Sequence, residues 1–382
     1  MNRSIERLGF VSRYPPTHCG VAEYTKMLIS AIQSLNPRIK LYVFSTDESG
    51  KNARIDEMGV NVLPCYRRFE SNYSNMLDEL SEIGGVDVLH VQHEYGIFGL
   101  GRNIIDALLK AKEEGLARAV VITMHTVNHP FSEKKDALKF QSSLNSLDAI
   151  VVHSPLQEFE LQIQGINPSK LNRIPHGTLI NPYLGYTKRI LSRSLNLNEE
   201  FRGMILAIPG FLRKDKGLDI LIDALKILKD LRFTLVVAGE LKDTELKDMF
   251  MDSLTYKITL IDRYLSSDEI LRVVALADAI VLPYRDRIGV YSVSGILHLS
   301  MGGLKPIIGS RTPRLVELYQ FAPRLTVPPE NPGDLAKKIR WLVKNYDYAV
   351  AYMTNLYGYA ARTQWIRMAY RHLELYRSLL ET

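Results

Sequence analysis

Two successive runs of the same alternation limit what this chain can fold into more than any other feature. Short apolar runs rich in β-branched residues alternate with longer stretches in which apolar residues recur every three or four positions. In the first series Leu8–Val11, Leu41–Phe44, Val86–Gln92, Ala119–Met124 and Ala149–Val152 read as strands. A helix is predicted over Val21–Leu35, where Val21, Tyr24, Leu28, Ile32 and Leu35 share one face, and another begins at Pro155. Runs that are apolar throughout suit parallel strands covered on both faces, and parallel strands require crossovers, here helical ones. The alternation restarts with Met204–Ile208, Leu231–Ala238, Tyr256–Leu260, Ala279–Leu282 and Pro306–Ile308, with helices predicted near Gly217–Leu228 and over Ile296–Met301. Asn181–Arg202, rich in Pro, Gly, Arg and Asn, separates the two series and reads as a linker.

A chain of 382 residues is too long for one ordinary core. The expected architecture is therefore α/β: two doubly wound Rossmann-like domains with an interdomain cleft. Residues 1–184 form the first domain, 185–202 the linker and 203–356 the second domain. Residues 357–382 form a C-terminal helix expected to cross back to the first. Ligands of such sheets bind beyond the carboxyl ends of the strands, so residues just after strands carry the functional weight.

Composition removes several alternatives. No apolar run approaches the roughly 20 residues that span a bilayer, and the polar N-terminus does not read as a signal peptide, so a cytoplasmic location is expected. Two cysteines, Cys19 and Cys65, exclude a disulfide framework and lack metal-ligand spacing. A net charge of +6 favours an anionic partner, but the absence of any run of five like charges argues against nucleic acid. In the tail, Trp365, Met368, Ala369, Leu373, Tyr376 and Leu379–Leu380 form an amphipathic face. Packing within the protein is the default for that face. Peripheral docking at the inner membrane face, helped by Arg367, Arg371 and Arg377, is the alternative.

Two segments carry the chemistry. Gly210-Phe211-Leu212-Arg213-Lys214-Asp215-Lys216-Gly217 follows a strand and opens a helix. Its three cations, with the helix N-terminus, suit a diphosphate; the alternative is a solvated helix entrance. Tyr291-Ser292-Val293-Ser294-Gly295-Ile296 precedes a second helix. Its small hydroxyl residues and glycine suit close approach to phosphate, or else Ser294 is an ordinary N-cap.

Further stretches extend the pattern: Tyr14–Tyr24 with Gly20, His93–Gly99, Thr123–Thr126, Arg173–Gly177, Ala238-Gly239-Glu240 and Ala277–Pro283. In this order, across nearly the whole chain, they resemble family 4 glycosyltransferases of group 1, which have the GT-B fold and retain anomeric configuration. The resemblance implies a nucleotide sugar held mainly by the second domain. Gly210, Arg213, Lys216, Glu240, Ser292, Ser294, Gly295 and His298 would then be donor-binding positions, with Gly20 letting the first loop approach the donor. Arg213 and Lys216 would neutralise the leaving diphosphate in place of a metal ion, and His125 would lie beside the transferred sugar. His18, His93, Glu94 and Asp286 are candidates for the sugar or acceptor side, Glu94 alternatively as a structural carboxylate holding a histidine.

The chain departs from the family pattern where two glutamates usually stand: Tyr291 and Leu299 occupy those places. Asp286 and His298 are the candidate replacements, and Phe211 stands where an arginine is common, with Arg213 as its substitute. No cofactor is expected beyond the nucleotide-sugar substrate, be it GDP-mannose, UDP-glucose or ADP-glucose. The acceptor would be a saccharide or a lipid-linked saccharide. A non-catalytic nucleotide-sugar binder, or a GT-B epimerase or phosphorylase, is the alternative. Gly99-Leu100-Gly101 lacks the third glycine of a dinucleotide signature, which disfavours a nicotinamide dehydrogenase.

Overall fold

A computed structural model describes residues 5–132, 136–197, 201, 203–241 and 258–381. The chain divides into two compact units, unit 1 comprising Met1–Gly177, Ile288–Val293 and Trp365–Thr382, and unit 2 comprising Thr178–Arg287 and Ser294–Gln364.

Unit 1 is built on strands β1 (Arg7–Val11), β2 (Lys40–Thr46), β3 (Arg54–Ile55), β4 (Asn61–Tyr66), β5 (Val86–His93), β6 (Ala117–Met124), β7 (Thr126–Asn128), β8 (Ala149–Val152) and β9 (Leu171–Arg173). Eight of them form one sheet in the order β3-β4-β2-β1-β5-β6-β8-β9, parallel except for the short β3–β4 pair. Alternate residues feed two cores. Val120, Ile122, Ile150 and Val152 face one core with Met76, Leu80 and Leu108. Ala119, Val121, Ala149 and Val151 face the other with Leu28, Ile32, Met368 and Tyr376. This double cover explains why the strands are apolar at every position.

Helix Gly20–Leu35 covers the second face together with the final helix, Trp365–Glu381. The tail's apolar residues Trp365, Met368, Ala369, Leu373 and Tyr376 are buried there, so the docking alternative loses the face it requires. A polar seam fixes the same helix: His90 on β5 bonds Tyr376 Oη at 2.6 Å and Thr123 Oγ1 at 2.8 Å.

Unit 2 contains β10 (Met204–Pro209), β11 (Phe233–Ala238), β12 (Ile258–Ile261) and β13 (Ala279–Leu282). The next strand, β14 (Val290–Ser292), belongs to unit 1, where it runs antiparallel to β7 with Ser292 opposite Thr126. The chain then adds β15 (Ile307–Ser310) and β16 (Thr326–Val327) to unit 2, giving a parallel sheet ordered β12-β11-β10-β13-β15-β16.

Two segments differ from their sequence reading. Lys188–Ser194, inside the expected linker, is a helix whose Thr187 side chain caps it by accepting from Ile190 N. The C-terminal pattern is two helices, Thr354–Arg362 and Trp365–Glu381, because Thr178 takes over the carbonyls at the break. Its Oγ1 donates to Ala360 O at 2.5 Å and its N to Thr363 O at 2.8 Å. Tyr256, expected to open a strand, lies outside the described residues.

Candidate functional site

Among the parallel strands of each sheet the order reverses once, and the reversal leaves a crevice at the carboxyl ends of the flanking strands. In unit 2 the reversal falls between β10 and β13. The turn after β10 carries Arg213 and Lys216; the residues after β13 are Pro283 and Tyr284. Close packing of these segments dictates the glycines. Gly217 has φ 66° and opens helix Leu218–Ile227, and a Cβ there would lie 1.9 Å from Pro283 O. Gly239 has φ 153°, and a Cβ there would lie 1.9 Å from Gly210 O. Gly217→Ala is accordingly expected to cost at least about 2 kcal/mol, combining an overpacked contact with a disfavoured φ. Urea unfolding of the full chain measures this, and a loss below about 0.5 kcal/mol would refute the tight turn.

The cations of the turn do not stand alone. Lys216 Nζ lies 3.7 Å from the centre of the Tyr284 ring. Burial, then the neighbouring Arg314, depress its pKa well below the ordinary lysine value. Asp215 accepts from Arg213 Nε at 3.1 Å and from Arg314 Nη1 at 2.5 Å. Burial opposes the charge on Asp215, but Arg314, Arg213 and Lys216 outweigh it and hold the carboxyl down at about 2. Asp215, Tyr284 and Arg314 were not singled out in the sequence. Arg314 is 99 positions from Asp215, and periodicity carries no signal for such a pair.

The remaining unit 2 candidates divide. Leu212 N donates to Glu240 O at 3.2 Å, which brings Glu240 beside the turn through its backbone. Ser294 is the N-cap of helix Gly295–Met301: its Oγ accepts from Leu297 N at 3.2 Å and meets Tyr284 Oη at 3.1 Å. The N-cap alternative thus holds for Ser294, and Gly295 is the first residue of that helix. Ser292 sits in unit 1 as a β14 residue, because the β7 pairing claims it. Asp286 is exposed and accepts from Arg287 N at 2.8 Å within its own loop.

His298 is placed in the interior instead of on an open face. Its side chain is fully buried, Nδ1 bonds Ser294 O at 2.9 Å, and Nε2 lies 3.7 Å from Glu317 Oε1. Burial pushes the Glu317 carboxyl up from 4.5 to about 7. A carboxyl whose pKa rises on folding stabilises the fold fully below its unfolded pKa, and that contribution is lost as pH rises through the folded pKa. Stability is therefore expected to fall between about pH 4.5 and 7 through this group, and Glu317→Gln should flatten that slope in urea titrations. An unchanged slope would refute the assignment.

In unit 1 the reversal falls between β1 and β5. Exposed His18 and Gly20 follow β1, with nothing within 4 Å of a Cβ built on Gly20. His125 follows β6, half-buried. Its position is over-determined. Helix Pro155–Ile163 opens with a capping box in which Ser154 and Gln157 bond each other's backbone. Gln157 Nε2 also donates to Met124 O at 3.1 Å and His125 O at 3.2 Å. The His125 ring meets Tyr24 edge-on at 4.7 Å between centroids, Nδ1 lies 3.4 Å from His153 Nε2, and Nε2 lies 3.1 Å from Gln92 Oε1. Burial, then His153, push the His125 pKa well below its ordinary value, so the ring is neutral at pH 7.

His93 is a core residue and lines no acceptor face. It is fully buried, stacked on Phe140 at 4.2 Å and Phe98 at 5.5 Å, and burial lowers its pKa to about 3. Glu94 is half-buried and structural, but the group it holds is Thr126, whose Oγ1 donates to Oε2 at 2.7 Å, and no histidine. Among the described residues no group of three or more His, Cys, Asp or Glu side chains is placed to hold a metal ion, and no helix is long and apolar enough to cross a membrane.

Comparison with solved structures decides the fold. The chain matches a glycosyltransferase from Rickettsia africae ESF-5 with TM-score 0.77 at 16% identity, over 100% of both chains. It matches sucrose-phosphate synthase from Thermosynechococcus elongatus with TM-score 0.76 at 16% identity, over 98% of this chain and 99% of that one. It also matches Anabaena HepE, solved with UDP and glucose, with TM-score 0.72 at 13% identity, over 97% and 99%. The fold is GT-B. Residues 203–345 of this GT-B chain match the family model "Glycosyl transferases group 1". No curated protein matches the chain.

Proposed function

We propose that this chain is a retaining glycosyltransferase of family 4. It moves a hexosyl group, mannose or glucose, from a nucleotide sugar to a saccharide or lipid-linked acceptor without a metal ion. The observation that carries the reading is the cationic turn at the strand-order reversal of unit 2, where Arg213 and Lys216 stand at the entrance to a helix. Positive charge fixed at that place stabilises a diphosphate as it leaves, which is where negative charge develops during transfer. Glu240 beside the turn fits a donor contact. His125 steadies the transferred sugar as a neutral, immobilised ring, and the departing phosphate takes the acceptor's proton. The protein's sites in this reading are cytoplasmic. HepE was solved with UDP-glucose, and this donor joins GDP-mannose and ADP-glucose as a candidate here.

The test incubates the full chain with GDP-mannose, UDP-glucose and ADP-glucose and follows nucleotide release. Thermal shifts with GDP, UDP and ADP run in parallel, with NMR of the product's anomeric proton and an EDTA control. One donor is expected to turn over with retention and without loss to EDTA. Donor binding without transfer on a broad acceptor panel would favour a binding subunit, and no response to any donor would overturn the reading.

A further inference from the structure

We propose that Arg314 is a third ligand for the donor's diphosphate, and that Asp215 is a built-in counter-ion which the diphosphate displaces. The inference rests on the donor reading of unit 2. Both oxygens of Asp215 are engaged: Oδ1 with Arg213 Nε at 3.1 Å, and Oδ2 with Arg213 Nη2 at 3.2 Å and Arg314 Nη1 at 2.5 Å. One carboxylate thus gathers two guanidinium groups brought from different parts of the chain, which is the donor geometry that guanidinium pairs offer to phosphate. Lys216 stands next to them over Tyr284, and the Arg314 guanidinium carbon lies 5.9 Å from the centre of the same ring. Two guanidinium groups face one carboxylate, so the cluster retains positive charge after its internal pairing even without counting Lys216.

That residual charge has a physical use. An unpaired carboxylate or guanidinium at a half-buried turn would be costly, and the pairing keeps the cluster folded without substrate. A diphosphate carries more charge than one carboxylate and presents more oxygens, so it outcompetes Asp215 for both guanidinium groups. The proline of Pro313–Leu315 and the following helix Val316–Phe321 hold Arg314 in reach while its side chain turns from one anion to the other.

The experiment measures calorimetric binding to the full chain of UDP, GDP, ADP, their monophosphates and inorganic pyrophosphate. Arg314→Ala should weaken nucleoside diphosphate and pyrophosphate binding by about 10–100-fold, the value of a hydrogen bond to a charged group, and change monophosphate binding by no more than about 3-fold. Arg314→Lys, which preserves charge if alanine unfolds the turn, should fall between. Asp215→Asn should tighten diphosphate binding by about 3–10-fold, since the competing anion is gone. A purely structural brace would have the opposite sign, and weakened binding in Asp215→Asn overturns the proposal. Wild-type diphosphate affinity in Arg314→Ala overturns it as well and leaves the donor reading standing. A wild-type chain that binds neither a nucleoside diphosphate nor pyrophosphate removes both.

Discussion

Replacing Lys216 by alanine is expected to lower kcat for sugar transfer on the order of 10²–10³-fold while leaving the melting temperature within a few degrees. The catalytic loss follows from where the ammonium sits. It stands at the turn before helix Leu218–Ile227, and a cation at a developing diphosphate acts most strongly in the transition state. The mild effect on folding follows from its surroundings. Its ring contact with Tyr284 at 3.7 Å stabilises the charge, while burial and Arg314 disfavour it, as the lowered pKa records. Burial outweighs the ring contact, so removing the ammonium costs the fold little. Lys216→Arg should recover part of the rate. Steady-state kinetics with calorimetric melting separates the outcomes: a variant with wild-type kcat would show that the ammonium takes no part in departure of the leaving group.

The second large effect is expected at Trp365. Its side chain is buried at 6% exposure, with ring centroids 5.0 Å from Tyr24 and 5.3 Å from His176. A Cβ on Gly177 would lie 2.1 Å from the indole, so the backbone there is shaped to admit it. Trp365→Ala should cost about 3–5 kcal/mol, the range for removing a large buried aromatic. Tyr24 touches both this indole and the His125 ring, so the variant should also lose activity at temperatures where it stays folded. Urea unfolding yields the first number and kcat below the melting transition the second. A cost under about 1 kcal/mol would mean that the surrounding rings collapse to fill the space.

The sequence carried the long, doubly covered strands and the helices between them, because their apolar periodicity is a local property. It did not carry the short edges. Asn61–Tyr66 contains Pro64, which weakens a strand reading, and Arg54–Ile55 and Leu171–Arg173 are too short or polar to register. The β7–β14 pair joins three-residue segments from distant parts of the chain. The same division applies to the site. Arg213 and Lys216 stood out as candidates because glycine, charge and helix entrance lie within one short segment. Arg314 became visible only through its pairing with Asp215. His298 misled in the other direction: a polar residue on a helix near a candidate loop looks available, but Glu317 from a later segment meets it in the interior.

The chain leaves unit 1 after Gly177, returns to it for Ile288–Val293, and returns again at Trp365. A nascent chain that has emerged only to Gly177 therefore lacks part of the cover for one face of its own sheet. Helix Gly20–Leu35 and the strands beneath it must wait for Trp365–Glu381 to leave the ribosome before that core closes. Expression of residues 1–177 alone should yield sticky, chaperone-bound material, and a stop codon near position 364 should cripple unit 1.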